Sequence, residues 1–259
     1  MQFGLAFGYF INRTGGFTNL LLVTVCNFIP VVGPIVALGY RAEVAQALLR
    51  DDERRRHPKF DFNRFGEYLS RGIWPFLIGL VLVLFAIPLI ILGIFLPIFF
   101  GTAANQPVVG MIVSISFYLL ALVLFVGFSA PMTFHAELAG RFDLGGAFRF
   151  AKEFWTTVGG LAILTGLLFI PLSFAVTLVS VLACFVGIYP ANSLIQMAGQ
   201  HLFVQLYVEY LERGGEPIRE FVPRDRYDDD EYEDESDERE RGDDEDDDDR
   251  PRRRLRDRR

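Results

Sequence analysis

Three stretches of this chain contain no Asp, Glu, Lys or Arg: Thr14 to Tyr40, Gly72 to Ala136 and Phe154 to Val208, of 27, 65 and 55 residues. Hydrocarbon offers peptide groups no hydrogen-bond partner, so uncharged runs of this size cross a bilayer as helices that satisfy their own backbone. One crossing takes about 20 apolar residues, each rising about 1.5 Å through a ~30 Å core. The lengths therefore predict an all-α polytopic membrane protein with five spans, near residues 17–40, 73–97, 108–134, 157–183 and 191–211.

The charges sit elsewhere. The whole chain carries a net −7, of which −8 belongs to Arg224 to Arg259 and +1 to everything before it. The tail, read from residue 213, runs from an acidic block to the basic end RPRRRLRDRR. Neither part can bury a core, so a disordered, self-attracting polyampholyte is expected. Residues 1–16 read as an interfacial segment, and MQFGLAFGYFINR has no basic region ahead of its apolar part, so no cleaved leader is expected. Cys26 and Cys184 lie in or beside apolar runs and read as packing residues.

Orientation follows from the loops. Arg41, Arg50, Arg54, Arg55, Arg56, Lys59, Arg64 and Arg71 separate the first two spans, and Arg141, Arg149 and Lys152 separate the third and fourth. The other two turns have no basic residue. The positive-inside rule makes both charged loops cytoplasmic, with the N-terminus outside and the tail inside; Arg13 alone runs against this.

The charged loops also repeat. Lys59-Phe60-Asp61 matches Arg141-Phe142-Asp143 at an offset of 82, and Ile87-Pro88-Leu89 matches Ile170-Pro171-Leu172 at an offset of 83. Each Asp is placed to cap a short amphipathic helix. With Phe65 and Phe148 on their apolar faces, these helices are expected to lie in the inner head-group plane as elbows that return the chain to the bilayer. Two span–elbow–span units of the same orientation make a parallel repeat, with the fifth span unpaired. Within the first span, Pro30, Gly33 and Pro34 predict a kink or a locally unwound turn.

Ile29-Pro30, Gly33-Pro34, Gly39-Tyr40, Pro58, Phe60-Asp61 and Gly72 together resemble a family of uncharacterised bacterial and archaeal membrane proteins, the domain-of-unknown-function family numbered four thousand and thirteen. The likeness covers residues 1 to 212. It implies a multi-span helical membrane protein and supplies no activity.

Chemistry is sparse. Asn192, Gln196, Gln200, His201 and Gln205 interrupt the fifth span, but they fall in two ladders on nearly opposite faces, so interhelical hydrogen bonding is favoured over a single pore-lining stripe. His201 is the one intramembrane ionisable group there that suits a transport role. A Ser129–His201 pair has the residue types of base-activated attack, yet Ser129 stands two residues before Pro131 and reads as a partner for a freed carbonyl. His135 and Glu137 are two apart, not at the spacing for a shared metal, and read as surface residues; His57 reads as solvated. Neither a cofactor nor a metal site is expected.

The sequence thus leads to a non-enzymatic integral protein of the inner (cell) membrane, with a structural or protein/lipid-interaction role. Its expected partners are the bilayer, anionic head groups met by the basic loops, and proteins not nameable from sequence; the basic end has the charge to meet the inner leaflet or RNA, but its attraction to the acidic block is favoured and nucleic acid is not an expected partner. The alternative is a small-molecule or ion carrier using the polar residues of the fifth span.

Overall fold

In a computed structural model, residues 2–4, 6–7, 14–50, 58–102, 106–182 and 187–221 are described. The charged tail, His57, Cys184 and most of the N-terminal segment lie outside these residues. The described chain is all helical: α1 (Thr14–Asn27), α2 (Val32–Arg50), a single 3₁₀ turn (Phe62–Arg64), α3 (Phe65–Thr102), α4 (Pro107–Ala139), α5 (Leu144–Leu182) and α6 (Ile188–Glu212).

Residues 17–40 do not form one rod. Helix α1 stops at Asn27 and α2 starts at Val32, with Val31 held at φ 64°, a conformation uncommon for a β-branched residue. Prolines 30 and 34 each remove a backbone donor, and the chain reverses between them rather than kinking. The reversal is documented along its length. Near the turn Gly33 touches the Cys26 carbonyl, and at the far end Asn19 of α1 and Tyr40 of α2 both donate to the Pro58 carbonyl, at 3.0 and 2.8 Å. The two helices are an antiparallel hairpin, and α1 begins at the same end as the Phe60–Asp61 corner.

That hairpin is bound to α3 by backbone contact. Gly39 lies against the Tyr68 backbone and Gly72 against the Ile35 carbonyl, where any Cβ would overlap main-chain atoms. Small residues that let helix backbones touch are the usual means of association where lipid removes the hydrophobic incentive. Tyr40, Phe60 and Tyr68 then pack edge-to-face and stacked around the crossing, with ring centroids 5.0 to 5.8 Å apart.

Both repeated aspartates cap as the sequence pattern requires. Asp61 Oδ1 accepts from the Asn63 amide at 2.9 Å, and Asp143 Oδ1 from the Gly146 amide at 2.8 Å. The elbows themselves are different from the expectation. No separate amphipathic helix follows either cap, because Phe65–Arg71 and Leu144–Trp155 are the first turns of α3 and α5, which run on for 38 and 39 residues. Phe60 is buried with Tyr40 and Tyr68 rather than dipped into lipid, whereas Phe142 and Phe148 are exposed and Phe65 is half-buried.

A 38-residue helix is about 57 Å long, nearly twice a bilayer core. The surplus forms the packed end of the molecule, where Phe134 of α4, Phe150 and Phe154 of α5, and Phe203, Tyr207 and Tyr210 of α6 build one aromatic core. The other halves are bare. The most apolar windows of α3 and α5 are only 11% and 6% buried, with Phe85 and Phe174 about 70% exposed, which a core helix of a soluble protein would not show. Phe62–Phe100 and Leu144–Val181 are long and apolar enough to cross a membrane, and their uncovered surfaces point to membrane association.

Gly72→Ala must push the Ile35 carbonyl away and is expected to cost about 3 kcal/mol or more. Gly66→Ala, in the same helix but with open space around it, should leave stability unchanged or raise it by up to about 1 kcal/mol. Thermal unfolding of both variants in detergent checks the contrast, and equal melting temperatures would remove the crossing from its structural role.

Candidate functional site

Helix α2 buries 12 of its 19 residues, Glu43 and Gln46 among them, and these two and the half-buried Arg41 each meet another element. The Arg41 guanidinium lies 3.2 Å from Glu137 Oε1 on α4 and donates to Gln200 Oε1 on α6 at 2.8 Å. Gln200 Nε2 closes the triangle by donating to Glu137 Oε2 at 2.8 Å. Glu43 accepts from Arg64 at 2.7 Å, and Arg64 also reaches Glu67 at 2.8 Å while standing over the Tyr68 ring. Arg71 donates to Gln46 at 2.8 Å. The Glu137 side chain is fully enclosed, while Arg41 remains 21% exposed and keeps part of its hydration.

His135 and Glu137 are thus buried, not surface residues. Both stand just past the apolar part of α4. Burial pushes the Glu137 carboxyl above its ordinary value, with Arg41 and then Gln200 pulling it back. Burial pushes the His135 imidazole down, toward its neutral form, with Asp143 opposing. The Asp143 carboxyl is held below its usual range, first by the Gly146 amide and then, against a smaller desolvation penalty, by His135, Arg141 and Arg149.

The five polar residues of the last span fall into separate settings. Gln200 belongs to the Arg41–Glu137 triangle. His201 Nδ1 and Gln205 Nε2 lie 2.9 Å apart, and Gln205 Oε1 accepts from the Gln2 amide at 2.7 Å. Gln196 is half-buried and Asn192 exposed. Ser129 gives its carbonyl to the Thr133 hydroxyl at 2.7 Å. Among the described residues, no group of three or more His, Cys, Asp or Glu is placed to hold a metal ion.

A family model described as protein of unknown function (DUF4013) matches residues 22–191. The chain belongs to the DUF4013 family. The match takes in the hairpin turn, both aspartate caps, the Gly39 and Gly72 crossing and the Arg41–Glu137 pair, and stops before Gln200. No curated protein and no solved structure matches the chain.

A second feature shares no residue with this network. Helices α3, α4 and α5 leave between them an apolar cavity of about 680 Å³, with Phe85 and Leu89, Ala121 and Phe128, and Leu144 and Phe148 on its three walls. Sequence reasoning found neither feature. Arg41 and Glu137, each the first charge after a run of 27 or 65 uncharged residues, were the available signals for the ion pair.

Removing Arg41 strands a buried carboxylate, so Arg41→Met is expected to cost about 3 kcal/mol or more, whereas Arg41→Met with Glu137→Leu should recover most of that loss. A double-mutant cycle read by thermal unfolding checks it, and additive single losses would dissolve the pair. The Asp143 cap predicts a pH effect. Its depressed pKa makes its stabilisation fully present above about pH 4 and lost as pH falls through the lowered value. Asp143→Ala should therefore cost about 0.5–2 kcal/mol at neutral pH, with the gap to the parent closing in acid.

Proposed function

We propose that the chain is a non-enzymatic integral protein of the inner (cell) membrane, a structural or protein/lipid-interaction component whose packed, charged end faces the cytoplasm. The observation that carries this reading is the division of α3 and α5 into bare apolar halves and halves packed against the rest of the bundle, with α4 ending in the buried Arg41–Glu137 ion pair. Helices α3 to α6 supply four crossings, and the α1–α2 hairpin enters the cytoplasmic leaflet and returns, its turn displaying Phe28, Ile29 and Val31 to lipid. Helix α6 is admitted by its neighbours, since its polar groups are met by Arg41, Glu137 and Gln2.

This topology modifies the five-span expectation and removes its one misfit. Four crossings put both ends of the chain inside, which agrees with Arg13 under the positive-inside rule and with the Gln2 amide beside Gln205, late in α6. In this reading the repeat becomes two units, α2–cap–α3 and α4–cap–α5, with the first helix shortened into the hairpin. The carrier reading draws less support. Gln200, His201 and Gln205 are engaged with protein groups, and Asn192 and Gln196 do not join them.

Epitope tags at the two ends should both be reached only after the membrane is permeabilised, while single thiols at Gln106 and Gly187, in a background without Cys26 and Cys184, should label from outside. The chain lacking residues 222–259 should stay in the membrane through carbonate washing. An N-terminal tag reached from outside restores the five-span topology, and release by carbonate ends the membrane reading altogether.

A further inference from the structure

The cavity between α3, α4 and α5 combines two properties that one class of molecule satisfies together. Its walls are apolar along Val81 to Leu89 of α3 and Ala121 to Met132 of α4, a length of about 12–16 Å along the helices. Its volume falls in the range of sites that enclose a small ligand. One end is different. There the wall is Leu144, Gly145 and Phe148, the first turns of α5, and Arg141 and Arg149 flank those residues in sequence.

The two arginines are not equally occupied. Arg141 stands 3.5 Å from Asp143, a long and exposed contact, and Asp143 already accepts from Gly146. Arg149 is exposed and makes no hydrogen bond or ion pair among the described residues, and Lys152 one turn on is exposed as well. Cationic groups at an apolar mouth suit a ligand with an anionic head and a hydrocarbon tail. Phe128 and Phe148, stacked at 5.6 Å across the mouth, form the step between the two regions.

We infer that this cavity holds an acyl chain of an anionic phospholipid from the cytoplasmic leaflet, whose phosphate is met by Arg141 and Arg149 at the start of α5. The inference rests on the membrane reading above and names the lipid partner of that reading. A second copy of the chain is the competing occupant. The basic mouth argues against it, because two copies meeting there would oppose like charges, whereas a phospholipid supplies the missing negative charge. The site also accounts for the asymmetry of the two repeats. The corresponding corner of the first unit engages Arg64 with Glu43 and Glu67 and carries Lys59, not an arginine, where the second carries Arg141.

The test uses the full chain in detergent, titrated with phosphatidylglycerol or phosphatidylcholine of identical acyl chains. Bound lipid is read by native mass spectrometry and melting temperature in parallel. Phosphatidylglycerol should be retained in preference and raise the melting temperature. Replacing Arg141 and Arg149 by Gln should lose about fivefold in that preference for each residue, which corresponds to about 1 kcal/mol apiece, while leaving the retention of phosphatidylcholine unchanged. Ala86→Phe, which fills the cavity, should abolish retention of both lipids. Gly145→Leu narrows the mouth at an exposed position and serves if the first variant does not fold. Equal retention of the two lipids, an indifferent arginine variant, or a lipid-independent dimer cross-linked through a thiol at Phe85 would each overturn the inference. A chain that showed any of these and still resisted carbonate would leave the membrane reading intact.

Discussion

The approach of α2 to α3 through Gly39 and Gly72 governs how the rest of the chain is arranged. Helices in lipid gain nothing from burying leucine against leucine, so their association depends on van der Waals contact and on polar groups that find partners. Glycine supplies the first by letting main chains touch. It also fixes the second, because α2 held at that distance brings Arg41 to α4 and α6, Glu43 to the start of α3, and Gln46 to Arg71. A side chain at either glycine would part the helices and strand three polar groups at once. Close approach and polar pairing are therefore one cooperative interaction.

The Arg41–Glu137–Gln200 triangle has a different value from the exposed ion pairs around it. Arg213 with Glu209 is a helical surface pair of the sort worth about 0.3–0.5 kcal/mol. An enclosed carboxylate adds little net stability over an apolar replacement, but it penalises every arrangement that leaves it unpaired. Three helices must be in register for its partners to arrive together. The triangle thus acts on uniqueness of packing, choosing one arrangement of α2, α4 and α6 from the many that hydrophobic contact alone would allow.

Much of this fold was legible from charge-free length and from two aspartates. Runs of that size leave a helix no alternative in hydrocarbon, and Asp61 and Asp143 cap where their spacing put them. The hairpin was not legible because hydropathy counts residues without reporting direction: 24 apolar residues with two prolines suit a kinked rod and a folded pair equally well. The discriminating signal was polar and small. Asn19 sat in an apolar run with no local partner, its partners being Pro58 and Phe60 across the hairpin. The elbows misled for a related reason. Amphipathicity marks a boundary between environments but not where a helix stops: the turns that carry Phe65 and Phe148 run on into α3 and α5, with Phe65 half-buried and Phe148 exposed and stacked on Phe128 of α4. The candidate polar residues of α6 were found individually, but their partners lie on other helices, and one sequence carries no record of such pairings.

The two ends of the bundle differ in what motion costs them. At the packed end, α2, α4 and α6 cannot separate without exposing Glu137 to hydrocarbon or to an empty site, so the barrier to rearrangement there is electrostatic. At the bare end, α4 meets α3 and α5 mainly through apolar side chains, with the Ser114–Gly93 and Trp155–Gly127 hydrogen bonds among them, and lipid can replace the apolar contacts at little loss. A carrier that alternates around the polar residues of α6 would have to break the first kind of contact in each cycle. A protein that takes up a lipid chain between α3, α4 and α5 rearranges only the second. The energetics therefore set a fixed end, held by the Arg41–Glu137–Gln200 triangle, against an apolar end whose helices can adjust to what lies between them.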